Sequence, residues 1–592
     1  MSLLLAAVLA TAQPQVDRSA VRATRVLQQA YAASGGDRWA SVKSLRFRYD
    51  SGLVELDDVV AGRFVERSGT DADGFDGISR WTQGKSGIAY VLGDRDSQLS
   101  AANDSYRTER AWWFASRHPG TIAYAGKQVD RGATFDTIQI TPEGGRPFTL
   151  WIDARTHLIA RDVERGAEEI DTTTFSDYRW VDGIRIPFAV QSDDDPADHL
   201  AKVEINAAFA EDAFAIPPLP KTDIAEHPVT VPFRVVNEKL LVPVYLNGQG
   251  PFDAEFDTGG NLIVPPALLQ HLKLIAHGGG RESGGGEGSI ASSSGAIDSV
   301  SVGDAKIGPQ QFSSFPLFSR YPERMLVGLE VLQRYVVALD FDKMQMTLTP
   351  PSQYRFDGTG TKIPFHFQDN QPEVTGSIDG IAAHLAIDTG DDSSLLLTAP
   401  FAQRYDLIKK YNAHLPYGGT SIGATHGVWA DRAGTVSLDD SAGRPAVSVT
   451  KPVTRISTQE FGFDANRYVS ANVGIGILQR FNLTFDYADR YIVFQPNANY
   501  GNPDVFNRVG IDLSANGAGW KVRTVYPNTA ASRAGLRVGQ VVVSINGQNR
   551  QQLADGAWYQ IETGPVGSHV TLAIQDAATT RTIDLILAND AL

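Results

Sequence analysis

The strongest constraint on this chain is that its middle repeats itself. Asn247-Gly-Gln-Gly-Pro-Phe-Asp-Ala-Glu-Phe-Asp257-Thr-Gly-Gly-Asn-Leu-Ile-Val264 has the same order of parts as Ile378-Asp-Gly-Ile-Ala-Ala-His-Leu-Ala-Ile-Asp388-Thr-Gly-Asp-Asp-Ser-Ser-Leu395: a glycine turn, an apolar strand, Asp-Thr-Gly and a second apolar run. Farther on, Met325-Leu-Val-Gly328-Leu-Glu-Val-Leu-Gln-Arg-Tyr is answered by Ala471-Asn-Val-Gly474-Ile-Gly-Ile-Leu-Gln-Arg-Phe. Self-similarity of this kind specifies two copies of one unit, and short apolar runs bounded by Gly, Asn and Asp read as strands. A lone Asp-Thr-Gly recurs by chance in turns, whereas two copies in the same strand-turn-strand setting are a specific signal.

Composition narrows the chemistry. With 592 residues, 42% of them hydrophobic and 20% charged, the chain is long enough for several folded domains and lacks the signature of disorder. A formal net charge of −15 repels a phosphate backbone, so nucleic acid is excluded as a partner. The sequence has no cysteine, which removes disulfides, thiol nucleophiles and thiolate metal sites together. It also lacks His-Glu-x-x-His and Gly-x-Ser-x-Gly, and the glycine-rich stretch His277 to Gly288 is not followed by Gly-Lys-Ser/Thr. No cofactor and no metal are expected.

Along the chain, Met1 to Val16 carry no charged side chain and contain an apolar run and Ala10-Thr11-Ala12, the pattern of a signal peptide. The expectation is an exported protein, periplasmic or secreted, soluble after cleavage. Ala23, Val26, Leu27, Ala30 and Tyr31 recur at helical spacing and stop at Ser34-Gly35-Gly36. From Leu45 to Phe214, short alternating runs such as Phe148 to Ile152 and His157 to Ala160 predict antiparallel hairpins. Pro217-Pro218-Leu219-Pro220 interrupts strand pairing and reads as a linker. The expected class is mainly β and multidomain, with units at 1–16, 17–220, 221–355, 356–500 and 501–592.

Residues 230 to 500 resemble the aspartic peptidases of the retropepsin and pepsin type, in which two β-barrel lobes each supply one Asp-Thr-Gly turn. The resemblance implies an aspartic endopeptidase with Asp257 and Asp388 as catalytic acids, Thr258 and Thr389 locking the turns together, and Gly259 and Gly390 letting backbone amides approach the carboxylates. Two close carboxyls sharing one proton supply both the base that activates water and the acid that protonates the amide. Ala, Ser or Thr commonly follows Asp-Thr-Gly in that family, but here Gly260 and Asp391 do. If Asp391 points into the cleft it raises the proton affinity of the pair; if it points to solvent it does little. His277 to Gly288 falls where a mobile loop over the cleft would lie.

Two flanking resemblances complete the reading. Arg508 to Leu513, Trp520 to Val525, Ala530 to Leu536 and Gly539 to Gly547 resemble a PDZ domain, which implies an α+β module binding a polypeptide chain terminus, with Val509, Gly510 and Ile511 as its peptide-binding loop. The opening helix and β-meander resemble the half-barrel of lipoprotein-carrier proteins. Trp39, Trp81, Trp112, Trp113 and Trp151 then either line a cavity for an acyl or other apolar ligand or fill a core. Against the peptidase stands a second reading, a non-catalytic peptide- or lipid-cargo-binding protein built on degenerate lobes.

Overall fold

The structure is a computed structural model that describes residues 18–592 apart from 194, 221–223, 287, 318–322, 414, 422–423, 555, 577–578 and 590–591. The expected signal peptide lies outside the described residues.

Helix Arg18–Ala33 buries Ala23, Val26, Leu27 and Ala30, the face that its spacing predicts, and it ends at Gly35 and Gly36, both at positive φ. A 13-stranded antiparallel sheet follows, in which the first strand, Ser44–Tyr49, pairs with the last, Asp198–Ile205. The helix Arg95–Thr108, unforeseen in the sequence, interrupts this meander. Its few apolar residues hide it, although Asp94 caps it by accepting the Ser97 amide at 2.9 Å.

The tryptophans of this sheet do not share one surface. Trp39 packs against Trp113 with ring centroids 5.7 Å apart, Trp151 packs against Phe135, and Trp81 is buried with Val65, Ala72 and Phe214 in a separate cluster.

The repeated region forms two lobes. In the first, strand Gln249–Phe256 pairs in parallel with Met325–Val327; in the second, Ile381–Ile387 pairs in parallel with Ala471–Val473. Between the lobes runs a six-stranded sheet with three strands from each, joined where Val336–Asp340 pairs with Phe481–Asp486. A shared sheet therefore fixes the relative position of the two lobes.

The first part of that glycine-rich stretch, His277 to Ser283, lies in strand Ala276–Ser283, which forms a hairpin with Ser289–Ile297. Glycine composition concealed it; the strands are held by backbone pairing, which needs no side chain. Phe463 and Asp464 of the second lobe donate their amides to Gly284 and Gly285 at its tip. The last unit is a five-stranded sheet, Ile511–Asn516 through Thr579–Ile586, with short helices Ala530–Arg533 and Ala557–Glu562 around a core that includes Val509, Ile511, Val522 and Leu572.

Candidate active site

Each aspartate sits where its strand leaves the sheet. Asp257 donates its amide to Val327 O and Asp388 donates its own to Val473 O, both at 3.0 Å, so the parallel partner strands hold the two turns identically. Gly328 closes the first arrangement: a Cβ there would lie 1.8 Å from Asp257 O. Beyond each glycine lies one short helical turn, Leu329–Leu332 and Ile475–Leu478.

The turns meet face to face. Thr258 Oγ1 donates to Ile387 O and Thr389 Oγ1 to Phe256 O, both at 2.7 Å, and each threonine amide donates to the other's hydroxyl at 3.1 Å. This reciprocal set satisfies every polar atom of two wholly buried side chains. The carboxyls consequently converge. A Cβ placed on Gly390 would lie 2.5 Å from Asp257 Oδ2 and 3.2 Å from Asp388 Oδ1, so both acids border the same small space beside that glycine.

The two carboxyls are not equivalent. Asp257 Oδ1 accepts the Gly259 amide at 2.8 Å. Asp388 Oδ1 accepts the amides of Gly390 at 2.8 Å and Asp391 at 3.2 Å, while its Oδ2 accepts Gln371 Nε2 at 3.1 Å and Asn472 Nδ2 at 2.8 Å. Burial pushes both acids up to about 6, reinforced at Asp257 by Glu255 and at Asp388 by the Asp257 charge. The amides and the Lys239 ammonium oppose that rise. Four donors reach Asp388 where one reaches Asp257, so a negative charge is better supported on Asp388.

The departures after Asp-Thr-Gly have a packing cause. A Cβ on Gly260 would sit 2.3 Å from Leu326 Cδ2, so a side chain there would require Leu326 to shift. At the matching place in the second lobe, two residues before Gly474, stands Asn472, which leaves room for Asp391. Asp391 is directed neither at solvent nor freely into the cleft. Its carboxylate accepts the Ser393 amide at 2.7 Å, the Ser393 hydroxyl at 2.8 Å and Asn472 Nδ2 at 3.1 Å. Asp392 pairs with Arg455 at 2.7 Å.

Comparison with known families agrees with this geometry. Residues 242–331 match the model of an aspartyl protease and residues 521–576 that of a PDZ domain. The chain carries an aspartyl protease domain and a PDZ domain. Among solved structures, the aspartic proteinase from Irpex lacteus aligns with a TM-score of 0.31 at 11% identity, over 47% of this chain and 99% of that one. No curated protein sequence matches the chain.

Several polar groups of the protease domain escaped sequence reasoning. Glu330 is fully buried and accepts the amides of Leu262 at 2.6 Å and Gly328 at 3.3 Å, tying the segment after the first turn to the closing strand. Lys239 lies 2.9 Å from Glu255 Oε1 and also donates to Gly390 O. Only the matched position of Asn472 and Leu326 in the repeat offered a signal. Among the described residues no cluster of three or more His, Asp or Glu is arranged to hold a metal ion. A cavity of about 340 Å³, lined in part by His384, Arg404 and Tyr468, opens on the flank of the second lobe rather than over the dyad.

In the PDZ domain, Ile511 begins the edge strand, Val509 lies in the core and Gly510 has φ +88°. The Gly510 amide is already donated to Asn507 Oδ1 at 2.8 Å. Asn507 Nδ2 also reaches Glu562 Oε2 at 2.8 Å, joining the start of the edge strand to the end of helix Ala557–Glu562.

Proposed function

We propose that this protein is an aspartic endopeptidase in which Asp388, as carboxylate, takes a proton from water while Asp257, as acid, protonates the oxygen of the scissile amide. Water adds to the carbonyl carbon to give a tetrahedral diol. The diol collapses as the proton held by Asp388 passes to the departing nitrogen, the C–N bond breaks, and the diol returns a hydroxyl proton to Asp257. The observation that carries this reading is the closeness of the two carboxyls, both within 3.2 Å of one point beside Gly390. Their unequal donor sets support this division of roles.

The PDZ domain is proposed to take polypeptide along the outer edge of Ile511–Asn516, which is the terminal strand of its sheet. Partly buried Leu513 on that strand and Ala557, Trp558 and Ile561 on the neighbouring helix supply apolar side chains for such a guest. An exported location forms part of the proposal and rests on the uncharged, apolar stretch Met1 to Val16.

The test is cleavage of an unfolded protein between pH 3 and 9 by wild type, Asp257→Asn and Asp388→Asn. Loss of cleavage in both variants, with folding retained, supports the peptidase. Equal behaviour of wild type and variants refutes it, and peptide capture without cleavage by wild type would favour the binding-protein reading.

A further inference from the structure

The hairpin preceding each Asp-Thr-Gly strand is part of the internal repeat, and each is gripped from outside by a different accessory domain. In the first lobe, strand Arg234–Val236 turns through Asn237 and Glu238, at φ 52° and 57°, into Lys239–Leu246. In the second, His366–Gln368 turns through Asp369, at φ 49°, and Asn370 into Gln371–Ile378. The first residue beyond each turn crosses to the catalytic turn of the opposite lobe. Lys239 Nζ donates to Gly390 O. Gln371 lies against Gly259, where a Cβ would meet its Cγ at 2.4 Å, and its Nε2 donates to Asp388 Oδ2.

A tyrosine hydroxyl anchors each turn. Tyr559, on the PDZ helix Ala557–Glu562, donates to Glu238 Oε1 at 2.8 Å, and Gly556 at the start of that helix abuts Val236. Tyr90, on a strand of the N-terminal sheet, donates to Asn370 Oδ1 at 2.6 Å. Its ring packs on Phe367 with centroids 4.5 Å apart, and nearby the Gly93 amide donates to Phe367 O at 3.2 Å. Two domains with unrelated folds therefore hold equivalent points of one repeat, and each point is one residue from a side chain that touches the opposite turn, Lys239 by a hydrogen bond to Gly390 O and Gln371 by packing on Gly259.

We infer that the N-terminal and PDZ domains position the catalytic pair through these two hairpins, with Tyr90 setting Gln371 on Asp388 and Tyr559 setting Lys239 on the Gly390 turn. The inference rests on the peptidase reading for its consequence in catalysis. Gln371 donates to the carboxylate form of Asp388, and the Lys239 ammonium lowers the proton affinity of both acids. Loosening either hairpin therefore raises that affinity. The charged groups facing the pair are Lys239, Glu255 and Asp391, with Asp392 and Arg455 behind them.

The experiment uses the full chain and Tyr90→Phe, Tyr559→Phe and Gln371→Ala, with Tyr49→Phe as control because that hydroxyl bonds Glu55 inside the N-terminal sheet. Cleavage of a denatured protein is followed across pH, and the Asp388 carboxyl is titrated by carbon-13 NMR, assigned through Asp388→Asn. The expected result is a fall in kcat with little change in KM in all three variants. The acid limb of the kcat profile and the Asp388 titration should both move up by about half a pH unit or more, most in Gln371→Ala. The control should match wild type. An active wild type whose three variants keep its profile and its Asp388 midpoint overturns the inference and leaves the peptidase standing. An inactive wild type refutes the peptidase, and the NMR midpoint then decides alone whether the hairpins set the carboxyl.

Discussion

Thr258 and Thr389 are each other's hydrogen-bond partners: each amide donates to the opposite hydroxyl at 3.1 Å, and each hydroxyl donates across the lobe boundary to the carbonyl before the opposite aspartate. Thr258→Ala leaves the Thr389 amide and Ile387 O unsatisfied in a buried place, and Thr389→Ala does the same to the Thr258 amide and Phe256 O. Each change should cost about 1–3 kcal/mol, seen as a lower Tm. The double variant should lose less than the sum, because both changes break one network. Serine at either position should restore most of the loss.

Burial of the dyad sets a pH dependence of stability. The Asp257 carboxyl is pushed from 3.8 up to about 6, so folding favours its neutral form. Its contribution is fully present below pH 3.8 and is lost as pH rises through about 6. Asp257→Asn, which never ionises, should accordingly be more stable than wild type at pH 7.5 by about 1–2 kcal/mol, a value discounted because the carboxyl still borders solvent. The gap should close below about pH 4. Thermal melts at the two pH values check this, and an Asn variant less stable at both would contradict it.

Gly390 borders both carboxyls, so a side chain there has a steric consequence for the pair. Gly390→Ala puts a methyl 2.5 Å from Asp257 Oδ2, so one carboxyl must move. Cleavage should fall by about 100-fold or more, since catalytic groups displaced by about 1 Å lose that much. Circular dichroism should still report a folded chain. Gly328→Ala, with its methyl 1.8 Å from Asp257 O, strikes backbone instead and should impair folding itself.

Glu330 carries a structural load without touching the dyad. Glu330→Ala removes the acceptor of the Leu262 and Gly328 amides in a site with no solvent exposure. The expected loss is about 2–4 kcal/mol, measured as a shift of the denaturation midpoint. Glu330→Gln keeps one acceptor oxygen and should lose about half as much.

The sequence by itself determined the repeat, the two Asp-Thr-Gly turns, the opening helix and the β character of the rest. These follow from periodicity and turn chemistry within a few residues of each position, and such local effects act before any long-range contact exists. Asp257 and Asp388 were legible for that reason, as was the buried face of Arg18–Ala33. The helix Arg95–Thr108 and the hairpin around Gly284 were not, because one has few apolar residues and the other is held by backbone pairing.

What only the tertiary structure decided is which groups meet around the two acids, within a lobe and across the lobe boundary. Gln371 and Asn472 reach Asp388 from 17 and 84 positions away, and Lys239 reaches Gly390 from 151. No residue type in those places announces such a contact. The space left by Gly260, filled by Leu326, and the space holding Asp391, shared with Asn472, are set by packing between strands rather than by any motif. Two Asp-Thr-Gly turns define a pair of acids; the cross-lobe hydrogen bonds bring the pair together and the donors of the second lobe make it unequal, because carboxyl proton affinity depends on every donor and charge brought within a few ångströms.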